Sequence, residues 1–123
     1  MATPLDAPVT VEYYYKVKWG YQDEFLSLFR KNHYPILMEQ VRSGRLLEFQ
    51  AFEPRFHGEG RSDWTFMTIL VFKNWQAFGD GSGTAELIER MFPDQATYKR
   101  EEQRRFEILD AHWDIPLKPA AME

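Results

Sequence analysis

Three histidines, six tyrosines and no cysteine set the chemistry open to this chain. His33 stands within a run of apolar residues, Phe25, Leu26, Phe29, Ile36, Leu37 and Val41, spaced i, i+3, i+4 as on one face of a helix. A titratable ring on such a stripe, beside Pro35, can face a buried cleft and exchange a proton there; the plainer alternative is a core histidine satisfied by a backbone or tyrosine partner. His112 and Asp114 flank Trp113 at i, i+2, so on a strand they share a face and form half of an acid/base pair, the alternative being a solvated strand end. Tyr13 and Tyr15 point one way from their strand and Tyr14 the other. Whichever face lines a cavity thus receives a phenol able to hold a ligand oxygen, although interface packing accounts for all three equally well. His33, Tyr13, Tyr15 and His112 are the candidate catalytic residues, while His57, next to Gly58 and Glu59, reads as surface.

Several chemistries are disfavoured by residue type and spacing. Without cysteine there is no disulfide, thiolate metal site or cysteine nucleophile, and the three histidines lack the paired spacing of a zinc site. The run Gly79-Asp80-Gly81-Ser82-Gly83 lacks the Lys-Ser/Thr ending of a phosphate-binding loop and reads as a linker or lid. No G-x-S-x-G elbow occurs. The expectation is a protein without metal or cofactor, colourless when purified. A net charge of -4 and a pI near 5.4 give no basic footprint for nucleic acid or an anionic membrane. No run is long and apolar enough to span a bilayer, and the first residues carry no basic segment followed by an apolar core, so the cytoplasm is the expected location.

The elements that must position these residues follow from periodicity. Residues 1–8, with two prolines, read as an N-terminal arm, residues 9–117 as one domain and residues 118–123 as a tail. Strict alternation from Val9 to Trp19 predicts a first strand, with Val9, Val11, Tyr13, Tyr15, Val17 and Trp19 on one side. Asp23 is the expected cap of a helix ending at Gly44, kinked near Lys31 to His33 because Pro35 cannot donate to the preceding turn. Leu46 to Phe56 predicts a second strand, residues 57–63 a hairpin loop, and Trp64 to Phe72 a third strand. Asn74 caps a short helix and Thr84 a further one. Gln95 to Leu109 is a polar helix with a Glu101/Arg105 pair at i, i+4, and Ala111 to Leu117 closes the chain as a strand. The order is βαββαβ, a ferredoxin-like α+β arrangement whose right-handed crossovers predict an antiparallel sheet of order 4-1-3-2.

The third strand carries large apolar groups on both faces and no charge. A chain of 123 residues can cover only one face of its sheet with its own helices, so the other face calls for a second sheet, most simply that of an identical partner. The 4 Trp, 6 Tyr and 10 Phe, more than one small core requires, point the same way. A homodimer is the predicted assembly.

On this order of elements, and on Val11-Glu12-Tyr13-Tyr14-Tyr15, Asn32-His33-Tyr34-Pro35, Phe72-Lys73-Asn74-Trp75 and Ala111-His112-Trp113-Asp114-Ile115-Pro116, the chain resembles the dimeric α/β barrel superfamily over residues 9–117. Local echoes are to EthD-like and cofactor-free monooxygenase families. The resemblance implies two ferredoxin-like protomers packed sheet against sheet, each with a cleft for a small aromatic or polyketide-like molecule. What happens there is binding alone or, alternatively, monooxygenase, isomerase or cyclase chemistry driven by acid/base groups. The RNA-recognition module shares the βαββαβ order, but the third strand lacks its Lys/Arg-Gly-Phe/Tyr signature.

Overall fold

The computed structural model describes residues 5–56 and 63–122, and the expected βαββαβ order is present in it. Four strands, β1 (Val9–Val17), β2 (Leu46–Phe52), β3 (Phe66–Phe72) and β4 (Leu109–Pro116), form one antiparallel sheet in the order β2-β3-β1-β4, which is the predicted 4-1-3-2. The most buried strands, β1 and β3, occupy the centre and pair Val11 with Leu70 and Tyr13 with Thr68. The strands are shorter than alternation alone predicts. β1 stops at Val17 and leaves Trp19 91% exposed, and β2 stops at Phe52 rather than Phe56. His57 and most of the expected hairpin loop lie outside the described residues.

The first helical region is divided into α1 (Gln22–Leu28), a π-helical turn over Phe29–His33, and α2 (Tyr34–Ser43). The cause is local. Pro35 has no N–H for the carbonyl four residues back, and the chain widens so that the Tyr34 N–H reaches the Phe29 carbonyl five residues back. The wide turn ends on His33. Asp23 does not cap α1, because Tyr21 holds that position without a side-chain bond; Asp23 and Glu24 sit instead in the first turn, where the helix dipole favours negative charge. Gly44 closes α2 at φ +90°, a left-handed cap that a side chain would strain.

Asn74 opens α3 (Trp75–Gly79) by accepting the Ala77 N–H at 2.8 Å, as its residue type predicts. Gly83, at φ +80°, is the cap of α4 (Thr84–Met91), which moves Thr84 from the expected cap into the helix. Asp94 caps α5 (Gln95–Glu107) through the Thr97 N–H at 3.1 Å. The expected Glu101/Arg105 pair does not form. Glu101 accepts from Lys31 Nζ at 2.9 Å and Asn32 Nδ2 at 3.2 Å, while Arg105 turns inward, 2% exposed, and binds Glu102.

The helices gather on one face of the sheet. There Val11, Tyr15, Phe66, Leu70 and Phe72 pack against Phe25, Leu26, Phe29, Leu37 and Ala77. Burying a side chain the size of Phe25, which is 0% exposed, contributes about 1.5–3 kcal/mol. The opposite face carries Tyr14, stacked on Trp113 with ring centres 5.4 Å apart and met edge-on by Trp64 at 5.8 Å, together with Met67, Ile69, Val71, Phe52 and Ile115. Phe52 and Ile115 remain 43% and 40% exposed. Among the described residues no helix is long and apolar enough to cross a membrane.

Candidate functional site

Between the helices and the sheet lies a cleft of about 400 Å³ whose wall includes all four predicted residues, Tyr13, Tyr15, His33 and His112. That volume is within the range of small-molecule sites. The sheet supplies the floor through strand register: Tyr15 stands opposite His112 across β1 and β4, and Tyr13 opposite Thr68 on β3, so these side chains share the helix-facing surface. The π-turn delivers His33 from above, α4 contributes Thr84 and Ile88, and α5 contributes Tyr98, Glu102, Arg105 and Phe106. A larger open groove of about 590 Å³ beside α2 and α4 is lined by charges of both signs, Glu39, Arg42, Lys73, Asp80, Glu86 and Arg90 among them. It lacks the apolar wall that would desolvate a ligand, and it holds none of the titratable aromatic groups.

His112 remains exposed on the edge strand, as the solvated-end reading expects, yet its ring is held in place. Its ring lies flat on Tyr15, with centres 4.2 Å apart and planes 14° from parallel. Nδ1 is 2.8 Å from the Tyr14 carbonyl oxygen, and since a carbonyl only accepts, Nδ1 carries the proton of that bond. Nε2 is then turned toward Asp114 Oδ1 at 3.3 Å, an ion pair whenever the imidazole is protonated. The predicted His–carboxylate pair is therefore present, and a backbone oxygen sets the ring's orientation.

His33 meets Phe29 edge-on at 5.1 Å and makes no hydrogen bond among the described residues. The core-histidine alternative, which needs a satisfying partner, finds none here. Burial, the Arg105 charge and then His112 push the His33 imidazole down to about 3. It is neutral near pH 7, a hydrogen-bonding group rather than a charge. Burial pushes the Tyr15 phenol up to about 12, with Arg105 opposing the rise and Asp114 adding to it. Burial likewise holds Tyr13 well above the usual phenol range, aided by Asp114 and Tyr15 and opposed by Arg45. Both phenols keep their protons near pH 7 and can donate to a ligand oxygen.

Arg105 is the residue that sequence reasoning missed. Its guanidinium is packed among rings, Cζ lying 4.6 Å from the centre of Phe106, 5.7 Å from Phe29 and 6.0 Å from Phe25. Nε and Nη2 donate to the two Glu102 oxygens at 3.2 Å and 2.8 Å, whereas Nη1 is buried without a partner among the described residues. A signal existed: Tyr98, Glu102, Arg105 and Phe106, at i, i+4, i+7, i+8, share one face of a helix whose strong polarity hid that face.

No family model matches the chain, and no curated protein matches it. Its fold is shared with solved structures. A NIPSNAP family protein from Agrobacterium tumefaciens superposes with a TM-score of 0.55 at 15% identity, covering 100% of this chain and 95% of that one. A dimeric ferredoxin-like protein of unknown function from Jannaschia sp. gives 0.55 at 12% identity, covering 92% and 100%. A Caulobacter crescentus protein put forward as an antibiotic biosynthesis monooxygenase gives 0.58 at 12% identity, covering 95% and 93%. At these identities the likeness is one of architecture. The chain is a ferredoxin-like α+β protein, as its order of elements and its resemblance to the α/β barrel superfamily predict.

Proposed function

We propose that this chain is a homodimeric binding protein whose helix–sheet cleft takes a small aromatic or polyketide-like molecule. The observation that carries the reading is the convergence of Tyr13, Tyr15, His33 and His112 on one cleft of about 400 Å³ with apolar walls. Two protonated phenols and a neutral imidazole suit the oxygens of such a molecule, and Phe72, Phe78 and Phe106 suit its rings. Pairing of two copies through the Tyr14, Ile69 and Trp113 face would bury the apolar surface that the helices leave uncovered. The dimeric description of the Jannaschia protein supports this assembly.

The second reading, a cofactor-free monooxygenase, isomerase or cyclase, rests on His112. A ring held through Nδ1 by the Tyr14 carbonyl, with Nε2 beside Asp114, is oriented as an acid/base group should be. The test is His33→Ala, followed by size exclusion with light scattering, thermal melting and mass spectrometry of small molecules that co-purify with the protein. The expected result is a folded dimer that no longer retains the molecule held by the unaltered chain. Unchanged retention with a lowered melting temperature would make His33 structural and reject the site.

A further inference from the structure

Resting on that reading of the cleft, we infer that its ligand carries an ionised acidic oxygen, a carboxylate on a ring system, and that Arg105 is the residue that binds it. A buried cation normally has its donors matched, because an unmatched donor out of water is costly, the more so on a charged group. Arg105 is 2% exposed, and its well-formed hydrogen bonds lie on one side only, with the Tyr15 phenol close by. Glu102 takes the Nε and Nη2 edge, leaving the buried Nη1 with no acceptor among the described residues.

The surroundings favour an anion over a neutral acceptor. Arg105 and Arg45 both line the cleft, each held against an aromatic ring, and among the described residues Arg45 hydrogen-bonds through Nε alone, to the Ala77 carbonyl at 2.9 Å. Among the described residues Glu102 is the single carboxylate in the wall, and it is already engaged by Arg105. His33 is neutral, and Tyr13 and Tyr15 keep their protons; Asp114, whose charge reaches both phenols, sits beside His112 Nε2 at the strand edge rather than in the wall. An incoming carboxylate would meet Nη1 and the neighbouring phenol donors, while its rings lie along Phe72, Phe78 and Phe106.

The probes are naphthoate and naphthamide, alike in shape and different in charge, titrated into the full chain with binding located by NMR shifts at His33, Tyr15 and His112. Charge-assisted bonds predict about ten- to a hundredfold tighter binding of naphthoate, and loss of that preference in Arg105→Met. If circular dichroism shows Arg105→Met to be unfolded, Arg105→Lys decides instead. Lysine keeps the charge without the planar fork, so the preference should fall severalfold, and an unchanged preference overturns the inference. Equal binding of both probes at the cleft would also overturn it while leaving the cleft as a binding site. If neither probe shifts the cleft residues, both readings fall.

Discussion

The two faces of this one sheet use the same strands for different ends. On the helix side, the apolar residues of β1 and β3 are interrupted by Tyr13, Tyr15 and Thr68, and His112 arrives from the exposed edge; burial under the helices pushes the Tyr13 and Tyr15 phenols up. On the other side, Tyr14, Trp64, Trp113, Ile69 and Val71 make an aromatic and aliphatic surface with Glu12 and Lys16 beside it. Tyr14 and Tyr15 are sequence neighbours with opposite fates. Tyr15 is 4% exposed beneath His112, whereas Tyr14 donates to Glu12 at 3.0 Å on the open surface. The lesson is that strand alternation separates a helix-covered cleft from an uncovered aromatic face within a single residue step.

Neighbouring substitutions on β3 should break this comparison most sharply. Leu70, 5% exposed, faces the helices, so Leu70→Asp places a charge without a partner in the core; a loss of about 4 kcal/mol or more and an unfolded protein by circular dichroism are expected. Ile69 faces the other way, and Ile69→Asp should leave a folded chain whose mass by light scattering is that of one protomer. If both variants unfold, or both remain dimers, the division of labour between the faces is wrong.

A smaller effect should sharpen the comparison through pH. The folded chain holds His33 at about 3 against an ordinary 6.5, so below 6.5 the unfolded state binds the extra proton. The stability contributed by keeping the ring neutral is complete above pH 6.5 and is lost progressively as pH falls toward 3. Between pH 7 and pH 5 the wild type should lose about 2 kcal/mol more than His33→Gln, as read from urea midpoints. Equal pH slopes would place His33 in water. The smallest effect belongs to a helix cap outside the cleft lining: Asn74→Ala removes the α3 cap and should cost about 1 kcal/mol, with dimer mass and ligand retention unaltered.

Much of this arrangement is legible in local pattern. The alternation of Val9 to Val17 assigns Tyr13 and Tyr15 to one face because strand geometry has a period of two, and Pro35 marks the irregular turn because its missing N–H is a covalent fact. Gly44 and Asn74 end and begin helices for reasons contained in the residues themselves. Less visible are the strand ends at Val17 and Phe52, where pairing with a neighbour sets the limit, and the choice of Gly83 over Thr84 as cap, which follows from how the chain enters α4. The alternation of His112 with Trp113 is compatible equally with a wet edge and with a cleft wall.

By itself, then, the sequence determined which residues alternate, where helices break, the βαββαβ order and, through crossover handedness, the strand order, because each is governed by short-range sterics or by chain connectivity. Only the tertiary structure decided that His112 lies on Tyr15, that His33 meets Phe29 without a hydrogen bond among the described residues, and that Arg105 abandons Glu101 for a place among three rings. Those outcomes depend on contacts between residues far apart in the chain. Desolvation and ring packing there outweigh the i, i+4 preference, worth about 0.2–0.5 kcal/mol, from which the Glu101/Arg105 pair was predicted.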